Sequence, residues 1–342
     1  MKKIVFLFIS ILLLTGCGDV NQEKLISSFK EQVDSAKSYS AYSSMEIYNG
    51  DDTFEYDIKV YYMDDDYFKV EMMNTLSNHE QVILRTDGDV YVVTPSLNKS
   101  YKFESEWPYN SSQAYILNSL VKDLNNNKIL EFKVEENGYS LKVEVDYPNN
   151  NNLNYEILHF DKKMNLNTVV VYDNEDIMAI KVVFNKIDYK ANLKKNDFEV
   201  DGLIDTNISK NNDNDQNKPE NETEETTILD DIVYPLYVPA NTFLKNRETV
   251  NTENGERVIL TFNGDKNFVL IEEPTYVSED FEIIPVYGDP LMLSNTVGAL
   301  STNSLSWSHN NMDYYLASND LTTSEILSIA DSLSVANIIE EK

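Results

Sequence analysis

The chain is poor in cysteine, histidine and positive charge, and each shortage removes a class of function. Its single cysteine, Cys17, in 342 residues allows no internal disulfide and no cysteine-based zinc site. Three histidines, His79, His159 and His309, lie far apart in the chain and outside any HExxH or HxH pattern, so no metal site is expected. GxSxG, a Ser-x-x-Lys set and a P-loop are all missing. Only 28 Lys and Arg stand against 58 Asp and Glu, a formal charge of -30. That balance excludes nucleic acid as partner, because phosphates need basic residues to neutralise them. It also argues against docking on anionic lipid heads. These shortages point to a protein that is not an enzyme and uses no cofactor.

Long apolar runs are scarce too, and the one present is informative. Ile4 to Leu14 is apolar except for Ser10, and follows Lys2 and Lys3. Eleven helical residues span about 16 Å, short of the roughly 30 Å of a bilayer core. This is the pattern of a signal peptide, residues 1–16. Leu14-Thr15-Gly16-Cys17 resembles a lipobox, with Cys17 as the acylated residue. Two acyl chains give a stable anchor. The expected location is the outer face of the cytoplasmic membrane, with residues 17–22 as a lipidated tether.

What is abundant is alternation. Leu25, Ile26, Phe29, Val33 and Ala36 recur at helical spacing. Beyond Tyr39 the period becomes two. Phe54, Tyr56, Ile58 and Val60 alternate with charged residues, as do Tyr139, Leu141, Val143 and Val145. Such runs are strands with one solvated face. Asn49-Gly50, Asp64-Asp65-Asp66, Asp87-Gly88, Asn137-Gly138 and Asp173-Asn174 supply the turns. Six strands are expected between Tyr42 and Phe103, and four or five between Ile129 and Val200. Between the groups, Ile116, Leu117, Leu120, Val121 and Leu124 mark a helix, for which Ser111 or Ser112 is the expected cap.

The domain reading is 23–204 as a first domain, 205–227 as an acidic disordered linker, and 228–342 as a small α+β domain. The linker has too little apolar content to offset its ordering entropy. In the second domain strands are expected at Val233–Val238, Val258–Phe262, Phe268–Glu272, Glu282–Tyr287, Leu305–His309 and Tyr314–Ala317. A closing helix carries Ile326, Ile329, Ala330 and Leu333. Thr322 and Glu325 have capping-box spacing before it.

One stretch carries a resemblance. Thr86-Asp-Gly-Asp-Val-Tyr-Val-Val-Thr-Pro leads through a second strand to Trp107-Pro108 and the apolar helix, and Tyr147-Pro-Asn-Asn turns further on. Together with the first amphipathic helix this resembles the LolA-type lipoprotein-carrier superfamily. It is most similar to Firmicute lipoproteins of the YdcC and GerS kind, linked to sporulation and germination. The resemblance covers about residues 23–200. It implies an α+β fold with a half-open antiparallel β-barrel of about eleven strands wrapped on helices. It also implies a concave face able to hold acyl chains, a lipoprotein or a partner segment. RseB-like sensors join such a barrel to a second domain. The run over 233–336 also resembles a small domain of unknown function that recurs in Firmicute lipoproteins.

The function expected is therefore a membrane-anchored, non-enzymatic binding or sensor module for a hydrophobic ligand or an envelope protein. Trp107, Ile116, Leu117, Leu120 and Leu124 are its candidate ligand-binding residues. The bland reading of the same residues is a filled core. Two alternatives stay open: an accessory partner of a cell-wall hydrolase in sporulation or germination, and an RseB-like regulator of an anti-sigma factor.

Overall fold

The computed structural model describes residues 20–203 and 232–341, apart from 65, 253, 278 and 279. The signal segment 1–16, Cys17 and the linker 205–227 lie outside the described residues. The described chain is α+β, with two sheets and three α-helices.

Helix α1 (Gln22–Asp34) comes first. Asn21 caps it by accepting from the Lys24 N–H at 2.8 Å, and Leu25, Phe29 and Val33 face inward. Six strands follow: β1 (Ser38–Asn49), β2 (Asp52–Met63), β3 (Tyr67–Asn74), β4 (Glu80–Thr86), β5 (Asp89–Thr94) and β6 (Lys99–Phe103). After α2 (Leu117–Asn126) come β7 (Ile129–Glu135), β8 (Gly138–Glu144), β9 (Leu153–Asp161), β10 (Leu166–Asp173) and β11 (Met178–Asp188). The alternation and the turn pairs thus account for all eleven strands. Asp87 and Gly88, for example, both take positive φ, at 50° and 87°, as a tight hairpin requires.

The strand order β6-β5-β4-β3-β2-β1-β11-β10-β9-β8-β7 joins two antiparallel meanders through the β1–β11 pair. Strands β6 and β7 lie at opposite ends, so the segment that connects them must cross the sheet. Its apolar stripe decides which face it crosses. Leu117, Leu120, Val121 and Leu124 share one core with α1 and the inward residues of the strands. The sheet packs around both helices and stays open, with β7 as a free edge. The opposite face is covered locally. A 3-10 turn at Lys195–Phe198 lays fully buried Phe198 against Tyr67 and Leu84.

The second unit comprises β12 (Thr242–Thr252), β13 (Gly255–Gly264), β14 (Phe268–Pro274), β15 (Glu282–Val286), β16 (Gly288–Met292), β17 (Val297–Ser301), β18 (Ser304–His309), β19 (Met312–Ala317) and α3 (Thr323–Glu341). Seven strands form a sheet of order β12-β13-β14-β19-β18-β17-β16. Ile326, Ile329, Ala330 and Leu333 of α3 pack on Leu260, Leu270, Trp307 and Leu316. The expected capping box is present. The Thr322 N–H donates to the Glu325 carboxylate at 2.8 Å, and the Glu325 N–H donates to Thr322 Oγ1 at 3.3 Å.

Four features differ from the sequence reading. Val233–Val238 is not a strand. Pro235 and Pro239 lack the N–H a ladder needs, and the Val233 N–H instead donates to the buried Glu272 carboxylate at 3.1 Å. Strands β12, β16 and β17 were not expected at all. The β15 segment joins the first sheet, parallel to β6, with Glu282 opposite Lys99 and Val286 opposite Phe103. Finally, neither Ser111 nor Ser112 caps α2. Ile116 holds the N-cap position without a side-chain bond. Ser112 Oγ accepts from the Asp146 N–H at 2.8 Å, tying the loop to the sheet.

Candidate functional site at the junction of the two sheets

The second sheet does not merely follow the first; part of it enters the first core. Val297 and Ala299 of β17 belong to the buried cluster around α1 and α2, with Met292 and Val286 packed against it. The β16–β17 tip, Leu293-Ser-Asn-Thr-Val297, is buried throughout.

Polar bonds fix this tip in place. Buried Gln81 on β4 accepts from the Val297 N–H at 2.6 Å and from Thr296 Oγ1 at 2.9 Å, and its own amide donates to the Val297 carbonyl at 3.2 Å. The Tyr56 hydroxyl donates to the Ser294 carbonyl at 2.9 Å. On the other side Asp331 of α3 accepts from the Ser294 N–H at 2.9 Å and its hydroxyl at 2.8 Å. Burial pushes the Asp331 carboxyl up, against the pull of those bonds. Nearby, Lys99 and Asp313 form an ion pair of 2.7 Å across the junction.

Between the tip and the first sheet lies a cleft of about 180 Å³. Its first wall is the end of β1 (Ile47, Tyr48, Asn49) with Ile180; its floor includes Trp107, Tyr115, Tyr147 and Asn150; its far wall is Asp289 to Ser294 with Leu327 and Asp331. The loop that carries Trp107 is held by buried Arg85, which donates to the carbonyls of Ser105 and Trp107, both at 3.1 Å. Arg85 in turn pairs with Asp66 at 2.7 Å, and Tyr109 donates to the same carboxylate at 2.7 Å. The acidic turn at Asp64–Asp66 therefore orients the loop through Asp66. The Trp107–Pro108 bond is cis. Asp289 accepts from Ser105 Oγ at 2.5 Å and from the Asn110 amide at 2.7 Å.

The sequence-derived candidates divide in two. Trp107 lines the cleft. Ile116, Leu117, Leu120 and Leu124 do not; they are buried in the first core. Cys17 lies outside the described residues. The residues missed were Gln81, Asp289, Ser294 and Asp331, which meet only through the docking of two units and carry no local motif. Two histidines that are distant in sequence also come together. His79, in the β3–β4 loop, and His309, at the end of β18, line one hollow across the junction. Burial lowers the pKa of both, and His79 helps hold His309 down to about 4.

Below the cleft floor lies a buried acid pair. Glu156 and Asp123 are fully buried, and no partner contacts either Glu156 oxygen. Burial and the neighbouring Asp123 push the Glu156 carboxyl well above its ordinary range, while burial lifts Asp123 to about 6.

Comparison with known proteins bears on the whole chain. A LolA superfamily protein from Nitrosomonas europaea aligns with 54% of this chain and 99% of its own, at 10% identity and a TM-score of 0.33. The Pseudomonas aeruginosa MucA/MucB complex aligns with 89% and 97%, at 10% identity and 0.30. The GerS lipoprotein complex with the CwlD amidase from Clostridioides difficile aligns with 51% and 99%, at 15% identity and 0.31. In sequence, the chain is 32% identical to sporulation protein YdcC of Bacillus subtilis strain 168 over 326 residues, which covers 95% of this chain and 94% of that one. The family described as sporulation protein YdcC-like matches residues 1–198. With a family match over more than half its length and a relative aligned nearly end to end, the chain belongs to the sporulation protein YdcC-like family.

Proposed function

We propose that this protein is a lipid-anchored, extracytoplasmic binding module of sporulation, without enzymatic activity, and that it engages an envelope protein at the junction cleft. The observation that carries the reading is the cleft itself. Two units are locked together by buried polar bonds, yet a lined opening remains between them. Its lining offers aliphatic surface, tyrosine hydroxyls and amides, which suit recognition. At about 180 Å³ it is smaller than the roughly 300–1,000 Å³ of sites that enclose a drug-sized molecule. A group the size of one or two side chains fits it better than a whole acyl chain. The stripe Leu117, Leu120 and Leu124 is already packed against the first core, which favours a protein partner over an acyl ligand in the hollow. The anchor follows from Cys17 and the apolar segment before it.

The test places a photo-crosslinking amino acid at Tyr48 or Asn149, on the cleft rim, in sporulating cells. One envelope protein captured from both positions, and not from Val134 on the free β7 edge, is the expected result. Capture from Val134 alone would move the binding surface to that edge and sink the cleft reading. Cys17→Ala should release the protein from the membrane fraction.

A further inference from the structure

Strand β15 has little to hold it where it lies. It pairs with β6 alone, and in parallel. Every other strand pair among the described residues is antiparallel. Parallel pairing is slightly less stable per residue. Within its sheet only β7 and β15 have no buried residue. Ile283 is 49% exposed, and Tyr287, just beyond the strand, 78%. No ion pair ties β15 to β6 either. Lys99 pairs with Asp313 at 2.7 Å, and Glu282 accepts from the Tyr276 hydroxyl of its own segment at 3.3 Å.

Lifting β15 would leave every other ladder standing. Before it, Thr275 is pinned to the second unit, its N–H donating to the Asn311 carbonyl at 2.8 Å and its hydroxyl to Asp313 at 2.7 Å. After it, Gly288 is paired with Ser301 of β17. Strand β14 pairs with β19, β16 with β17 and β6 with β5, all without its help. Strand β15 is thus a strap from the second unit laid on the first, and both of its moorings are on the second.

What the strap covers is fit for another strand. The Glu282 N–H donates to the Asn98 carbonyl at 2.8 Å. By the two-residue period the N–H groups of Ile284 and Val286 also face β6, and Pro285 has its missing donor on the outer side. That outer side is therefore closed to further strands. The β6 side is open to any segment that can replace the strap. It offers ladder groups and, in order, Lys99, Tyr101 and Phe103, which now stand opposite Glu282, Ile284 and Val286.

We infer that β15 is a built-in occupant of a strand-binding edge, and that an extended segment of a partner protein exchanges with it on β6. The fitting segment carries an acid and two aliphatic residues at alternate positions, in register with Lys99, Tyr101 and Phe103. Backbone bonds to β6 supply affinity, and these three positions supply choice. Strap and segment compete for one place, so binding scales with the share of molecules in which β15 is off. The inference does not depend on the cleft reading, since no residue of β15 lines the cleft.

Two measurements on the folded chain 22–342 test it. Native-state hydrogen exchange should release the Ile284 and Val286 amides at least tenfold faster than those of β5. Fluorescence polarisation of a labelled Asp280–Gly288 peptide should show saturable uptake, lost in the peptide carrying Glu282→Lys and Ile284→Asp. Ser100→Cys with Ile283→Cys, a register pair in a stretch with no other cysteine, then locks the strap by a disulfide. Oxidation should abolish uptake and reduction should restore it. Should the disulfide not form, Glu282→Lys in the chain takes its place. It sets two cations opposite each other and should raise uptake of the unaltered peptide at least tenfold. Exchange of the β15 amides no faster than β5, absence of uptake, or uptake indifferent to the lock or to Glu282→Lys overturns the inference. A disulfide that forms between two chains instead of within one assigns the strand to a second copy and overturns the partner segment.

Discussion

His309 should make the junction sensitive to acid. Its imidazole is held near a pKa of about 4 by burial and by His79, against an ordinary 6.5. A base whose folded pKa is depressed binds protons more readily when unfolded. Its contribution to stability is therefore complete above pH 6.5 and is lost as pH falls toward 4. At about 1.36 kcal/mol per unit, the span of roughly 2.5 units is worth about 3 kcal/mol in full, of which about 2 kcal/mol is lost between pH 7.5 and 5.0. The raised acids Asp123, Glu156 and Asp331 act with opposite sign, so the wild-type curve alone does not isolate the histidine. The comparison with His309→Asn does. Trp107→Phe in both backgrounds leaves Trp307, stacked on Tyr314 at 5.1 Å, as the sole tryptophan. Urea unfolding at pH 7.5 should show a cost for His309→Asn, and at pH 5.0 that cost should shrink by about 2 kcal/mol. An unchanged cost at the two pH values would refute the argument, because the imidazole would then be as free to protonate folded as unfolded.

The acid pair gives the converse. Asp123→Asn should reduce the stability gained on acidifying from pH 7 to 5 by about 1 kcal/mol, since a raised carboxyl stabilises below its folded pKa and loses that as pH rises through it; thermal melts across pH check this. Leu120→Ala removes a fully buried side chain from α2 and should cost about 2–5 kcal/mol in urea unfolding. Gln81→Leu strands the Val297 N–H, at roughly 1–3 kcal/mol, while Thr296 Oγ1 keeps its bond to the Ser308 carbonyl at 3.1 Å. Hydrogen exchange should then speed up at Val297 before it does in β2 or β10. Equal exchange there would mean that other contacts hold the tip.

Local signals carried the fold as far as local physics reaches. The period-two runs and the Asn-Gly and Asp-Gly turns placed the eleven strands of the first sheet, because each hairpin pairs near neighbours. Thr322 and Glu325 marked the last helix for the same reason. The Val233–Val238 run failed because its apolar pattern was outweighed by two prolines and by the bond to Glu272, a residue 39 positions away. Strand β17 failed because nearly all of it is buried, so neither face shows alternation. Of the candidate site, Trp107 could be found from its Trp-Pro setting. Gln81, Asp289 and Asp331 could not, because each looks like an ordinary polar residue until the two sheets meet. The His79–His309 meeting has the same origin.

The parallel pairing of β15 with β6 has a bearing on how the chain is made. Strand β6 is complete at Phe103, but its partner ends at Val286. At ribosomal rates of about 5–20 residues per second, roughly 10–40 s separate the two. Until β15 arrives β6 is a bare edge, and β7 is a second once the sheet has formed, each a template for a neighbouring nascent chain. A heavily acidic sequence repels its own copies, and here that repulsion acts at the time when the growing chain most needs to be kept apart from them.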